Sequence, residues 1–132
     1  MQQASTALAP RRTRRAPRAM PAARTDGIEV RAVRRADLEQ VIAIDTAVTG
    51  LEKRAYWTSV YRRYGVSGRG EQKFLVALAA GRVVGYVIGE VRDWEFGSPP
   101  CGWVFAIDVE PRVRQKGVGT LLLGAIRERF ER

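Results

Sequence analysis

The sequence predicts an α/β domain, layered in the α+β manner, in the order strand, helix, helix, strand, strand, strand, helix. Three observations lead there. From Gly27 onward, segments with period-two alternation are interleaved with segments of helical spacing. Two apolar runs, Phe74 to Ala79 and Arg82 to Val91, are separated only by Ala80-Gly81, which is the spacing of an antiparallel hairpin. A basic, glycine-containing turn, Arg114 to Thr120, then joins an apolar strand to a closing helix.

At 132 residues and 45% hydrophobic content the chain suits one domain with a real core. Its formal net charge of +9 is unevenly placed. Met1 to Thr25 holds Arg11, Arg12, Arg14, Arg15, Arg18 and Arg24 and no acid, so about two thirds of the excess lies there. Rich also in Ala and Pro and without apolar periodicity, residues 1–26 read as a disordered tail, and residues 27–132 as the domain. Three readings of the tail stay open: a targeting peptide lacking an amphipathic face, an arm for nucleic acid or acidic surfaces, or an unselected leader with Met20 as an internal start.

The elements follow in order. Ile28 to Val33 alternates with period two as a strand with one polar face. Ala36 to Val48 sets Leu38, Val41, Ile42 and Asp45 at helical spacing, with Asp37 at the positive helix end and Gly50 as the stop. Glu52 to Tyr64 carries Tyr56, Val60 and Tyr64 on one line and Trp57 and Tyr61 on the next, a second helix with an aromatic stripe. That stripe reads as core, or as rings turned toward a substrate cleft. Gly65, Gly68 and Gly70 make a loop before the hairpin, and residues 93–101, with Gly97, Pro99 and Pro100, form a longer connection. Gly102 to Val109 is the fourth strand, apolar on successive positions from Trp103 to Ile107. Gly117 to Arg132 closes the order as a helix with Leu121, Leu122, Ala125, Ile126 and Phe130 on its apolar face.

Composition also excludes chemistries. With no histidine and only Cys101, the chain lacks the commonest metal ligand, the commonest general base and any internal disulfide, so no metal is expected. No apolar run spans a bilayer and no export signal is present, so a cytoplasmic protein without membrane contact is expected. The turn is the positive feature. N–H groups at a helix N-terminus, flanked by Arg and Lys, suit phosphate oxygens. A dinucleotide fingerprint would need a third glycine where Leu122 stands, and a Walker A loop would need Gly-Lys-Ser/Thr, which is absent.

The run Arg114-Gln115-Lys116-Gly117-Val118-Gly119 resembles the R/Q-x-x-G-x-G/A signature of the GNAT N-acetyltransferases. Ile107-Asp108-Val109-Glu110-Pro111 looks like that family's fourth strand, after a hairpin and a β-α-α opening. The resemblance implies a mixed, mainly antiparallel sheet flanked by helices, and an acetyl-CoA-dependent N-acetyltransferase acting by direct transfer on a primary amine of a protein, peptide or small molecule. It implies a pyrophosphate held by Arg114, Gln115, Lys116, Gly117, Val118, Gly119 and Thr120, with Arg112 and Lys116 adding charge at the rim, and a pantetheine arm along Ile107, Asp108 and Val109. Family members often place a base at positions that map onto Trp103 and Phe105, neither of which titrates. Glu90 is then the leading candidate base, with Asp93, Glu95 and Asp108 behind it, although each also reads as a solvated strand-end charge.

The same resemblance implies that the chain lacks the C-terminal strands and helix of the family, so the fourth strand is expected to show an open apolar edge prone to pairing with another chain, a homodimer included. The alternative function is a cofactor-binding or nucleic-acid-associated module that has lost catalysis, with the basic arm as its contact. Between the two, nucleic acid is the less expected partner.

Overall fold

The computed structural model describes residues 4–7, 23–25, 27–66, 72–92 and 101–131. Glycines 68 and 70, the 93–100 connection with Asp93 and Glu95, and the clustered arginines 11–18 lie outside the described residues. The strands are β1 (Ala4–Ala7), β2 (Ala23–Thr25), β3 (Ile28–Ala32), β4 (Gln72–Ala79), β5 (Arg82–Arg92) and β6 (Cys101–Val109). The helices are α1 (Leu38–Thr49), α2 (Arg54–Val60) and α3 (Val118–Phe130). Short 3-10 turns precede α1 and α3, and α2 runs on into a π-helical turn, Tyr61–Gly65.

One sheet runs β1-β6-β5-β4-β3-β2, and every described pairing is antiparallel rather than mixed. Ala80 and Gly81 both take positive φ, 52° and 79°, as the two-residue turn between β4 and β5 requires. The predicted order holds from β3 to α3, with boundaries moved by at most two residues when the π-helical turn is counted with α2.

The tail departs from expectation. Ala4–Ala7 pairs with Cys101–Val104, and Ala23–Thr25 pairs with Ile28–Val30. The physical reason lies at the edges: an unpaired strand presents a row of N–H and C=O groups that any extended segment within reach can satisfy. The same pairing covers half of the β6 edge that was expected to lie open.

The core is split by the sheet. On one face α3 sets Val118, Leu122, Ala125 and Ile126 against Val30, Leu75, Val87 and Val104. Phe130, in its last turn, lies over Gly102, where an added Cβ would sit 2.4 Å from the ring. On the other face α1 and α2 set Val41, Ile42, Ile44 and Trp57 against Phe74, Val76, Tyr86 and Ile88.

Two buried carboxylates tie this second layer to the sheet. Asp37 accepts the Arg34 N–H at 2.7 Å and both terminal nitrogens of Arg31 at 2.8 and 3.1 Å, joining β3 to the start of α1. Asp45 faces inward because the Trp57 indole donates to it at 2.9 Å and Lys53 Nζ lies 3.3 Å away. Of the aromatic stripe, Trp57 is 2% exposed and Tyr56 is 45% exposed, while Val60, Tyr61 and Tyr64 pack half-buried against the same cluster.

Removing the Asp45 carboxylate leaves a buried indole N–H without its acceptor. Asp45→Ala is expected to cost about 1–3 kcal/mol in a urea unfolding experiment, and Asp45→Asn, which keeps an acceptor, less. Equal stability of Asp45→Ala and the unaltered chain would overturn this account of the helix layer.

Candidate functional site

β6 pairs with β5 along its whole length, whereas on its other edge the described partner, β1, stops at Val104. The register between β5 and β6 shifts once: Ile88 faces Ala106 and Gly89 faces Val104, so Phe105 is an extra residue in β6. Such a bulge bends the strand and takes one residue out of the ladder. Beyond it, from Phe105 to Val109, the outer edge has no paired strand among the described residues. That stretch spans about 13 Å at the usual rise per residue.

Backbone direction along the edge follows from one hydrogen bond. The Glu110 N–H donates to Val84 O at 2.8 Å, toward β5. Alternation then turns the main-chain groups of Asp108 toward β5 and those of Ile107 and Val109 toward the outer edge. The Asp108 carboxylate accepts the Val109 N–H at 3.2 Å. Of the three residues predicted to line a ligand arm, Ile107 and Val109 thus present main chain to the edge, and Asp108 presents its side chain.

At the end of β6 the glycine turn is a 3-10 helix, Pro111–Lys116, closed by Gly117 at φ 77° and ψ 13°. Arg114, Gln115 and Lys116 lie on it. The first α3 hydrogen bond runs from the Leu121 N–H to Gly117 O at 3.0 Å, so the N–H groups of Val118, Gly119 and Thr120 have no acceptor within the helix. A Cβ on Gly117 would meet nothing within 4 Å, and one on Gly119 only Val109 Cγ2 at 3.9 Å. The helix's positive end therefore faces space that no described atom fills.

Glu110 fixes this turn from behind. Arg82 on β5 pairs with one carboxylate oxygen, and Arg112 reaches the other from NH2 at 2.6 Å and from Nε at 2.7 Å. The hydrogen bond from Arg82, then Arg112, holds this carboxyl below the usual carboxylate range. On the α1 side of the same turn lies a groove of about 470 Å³, its walls including Ile44, Ala47, Val83 and Pro111.

The other end of the open edge carries a second cluster. Glu90 sits opposite Trp103 in the ladder. Its carboxylate accepts Arg92 Nε at 2.8 Å. The Arg92 guanidinium lies 5.4 Å from the Trp103 ring centre and 5.1 Å from that of Phe105. Tyr64, at the π-helical turn, packs edge-on against Phe105 at 5.7 Å. Burial, and then the Glu90 charge, push the Tyr64 phenol above its ordinary value, so it stays a donor at neutral pH.

The sequence reading singled out Glu90 but passed over Arg92, Tyr64 as its neighbour, and Glu110. Period two puts Glu90 and Arg92 on one strand face, and that signal was available. The Tyr64 contact needs a fold. Trp103 and Phe105 are half-buried, alternating with buried Val104 and Ala106, rather than continuously buried.

The sequence matches the description of the Acetyltransferase (GNAT) family over residues 38–132. No curated protein matches it. Among solved structures, the chain is similar to a GNAT family acetyltransferase from Staphylococcus aureus, with 14% identity and a TM-score of 0.66 over 80% of this chain and 78% of that one. It is also similar to AAC(6')-Iy in complex with a CoA-containing bisubstrate analogue, at 20% identity and TM-score 0.63 over 76% and 69%. An acetyltransferase from Trypanosoma brucei aligns at 23% identity and TM-score 0.57 over 76% and 72%. At these identities the likeness is one of fold.

The Glu110 clamp has a pH signature. Its folded pKa lies below the ordinary 4.5, so its contribution to stability is present above that value and is lost as pH falls through the folded one. Glu110→Gln is expected to melt below the unaltered chain at about pH 7, with the gap narrowing toward about pH 3. A gap constant across that range would remove the clamp from the account.

Proposed function

Because the chain belongs to the GNAT acetyltransferase family, we propose that it moves the acetyl group of acetyl-CoA directly onto a primary amine of a peptide, protein or small molecule in the cytoplasm. The observation that carries this reading is the continuity of the site. A helix N-terminus with three N–H groups lacking helical acceptors adjoins a strand edge that has no paired strand among the described residues, which leads to a carboxylate flanked by aromatic rings.

The residues fit a phosphate-bearing substrate. Main-chain donors do not titrate, and the helix dipole adds to them, so a pyrophosphate is held with little dependence on side-chain identity. In this reading the turn from Arg114 to Thr120 holds the pyrophosphate, with Val118, Gly119 and Thr120 as the donors. The main chain of Ile107, turned away from β5, offers an amide-bearing arm the pairing of an added strand. The thioester then lies near the Phe105 bulge.

Transfer forms a C–N bond and breaks the C–S bond. The amine must lose a proton before it attacks, and the departing thiolate gains one. In this reading Glu90 accepts the amine proton, directly or through water. Its present partner, Arg92, holds it in place, and an incoming amine has to compete with Arg92 for it.

Two outcomes are expected with the full chain. Gly117 sits at positive φ, where a side chain costs about 1–2 kcal/mol, so it is the less clean position to fill. Gly119 carries no such strain, and Gly119→Leu is expected to abolish acetyl-CoA binding by calorimetry while leaving thermal stability nearly unchanged. Undiminished affinity would sink the pyrophosphate assignment. Glu90→Gln is expected to reduce turnover by about 10²-fold or more with acetyl-CoA affinity retained, and unchanged turnover would reject Glu90 as the base.

A further inference from the structure

Arg92 stands in a place built for a cation. Two aromatic rings lie within 5.4 Å of its guanidinium carbon, and a carboxylate whose side chain is only 15% exposed accepts its Nε. Aromatic faces with a carboxylate at their base are a general means of binding organic cations. The occupant is less fixed than its surroundings: the Arg92 side chain is 47% exposed and sits on the last residue of β5. Trp103 and Phe105 stand on one strand and Tyr64 packs on Phe105, so these walls keep their arrangement without Arg92.

We propose that Arg92 is an internal stand-in for the acceptor: it fills a cation slot formed by Glu90, Trp103, Phe105 and Tyr64, and an acceptor bearing an ammonium or guanidinium group binds by displacing it. Calling the ligand an acceptor rests on the acetyl-transfer reading above, whereas the slot itself does not. Arg92 is then a specificity-determining residue. With Arg92 in place, Glu90 is neutralised and weak cations are excluded. When a stronger cation takes its position, the carboxylate faces the incoming group and the guanidinium swings to solvent. Arg63, whose guanidinium lies 5.7 Å from the Tyr64 ring, adds a second positive charge near the slot and sharpens the selection against weakly held cations.

The test needs no acetyl-CoA. Methylguanidinium, which copies the head group of Arg92, is titrated into the full chain and into Arg92→Ala, with binding followed by calorimetry and by the Trp103 indole resonance. Saturable binding to Arg92→Ala at least about tenfold tighter than to the unaltered chain is expected, and Arg92→Ala/Glu90→Gln is expected to lose it. Equal affinity in the first pair, or binding that survives in the double variant, overturns the slot. Arg92→Met, which keeps the aliphatic stem, serves the same comparison if the alanine variant fails to fold. In turnover assays the Michaelis constant of a cationic amine is expected to fall in Arg92→Ala while that of acetyl-CoA stays the same. Probe binding as expected but without any acetyl transfer would overturn the enzymatic reading and leave the slot standing. Transfer with no change in either Michaelis constant, together with equal probe affinity, would do the reverse.

Discussion

β6 is held by β5 on one side and, among the described residues, is paired over only half its length on the other, and the site depends on that asymmetry. A central strand satisfied on both edges would have no main chain to offer a ligand, and a strand with no neighbour on either edge would have no fixed position. Here β5 supplies the fixed side over the full length of β6, while β1 takes the outer edge only as far as Val104. The Phe105 bulge sits where that cover ends. It bends the strand at the boundary between closed and open edge, and the same extra residue brings a second aromatic side chain onto the face that already carries Trp103.

The two helix layers act on this strand from opposite faces and give it different properties at its two ends. α3 starts just beyond β6 and packs back along it as far as Phe130 over Gly102, so the position of its N-terminus is set by the core it buries. The open N–H groups of Val118 to Thr120 thus point where packing puts them, and Glu110, clamped by Arg82 and Arg112, keeps the approach to the helix from shifting. On the other face, Asp45 and Trp57 lock α2 to α1, and the π-helical turn that continues α2 carries Tyr64 out over Phe105. A π turn widens the helix by one residue, and such turns often mark functional positions. The Tyr64 ring thereby packs on a strand to which it has no sequence proximity.

What was legible in the sequence were features governed by local rules. The β4–β5 hairpin follows from a two-residue spacing, α1 from helical spacing ended by Gly50, and the α3 turn from a glycine at positive φ beside basic residues. The features missed all depend on pairings between distant residues. Ala4–Ala7 has no pattern of its own that marks a strand, and it becomes one because β6 offers an edge. The bulge cannot be read from Trp103 to Ile107 alone, since an unbroken apolar run and a bulged strand with alternating burial look the same until the partner strand fixes register. Asp45 is the instructive case among charged residues. It stands at helical spacing with Leu38, Val41 and Ile42, and a charge on that inward face is explained by an indole on the next helix and a lysine before it.

The two ends of the open edge have opposite electrostatic character, and this polarity bears on how a substrate pair could be oriented. At the Gly117 end, N–H groups without acceptors in the helix and the α3 dipole favour negative charge, in a form that pH does not switch off. At the Glu90 end, a carboxylate and three aromatic rings favour positive charge. About 13 Å of strand edge separates them. A long substrate with phosphates at one end and a reactive group at the other can lie along that edge in only one direction without placing its phosphates beside Glu90. A cationic partner meets the reverse preference and is drawn to the opposite end. The directionality needs no dedicated side chain along the edge itself, because it is set by what stands at each end of β6.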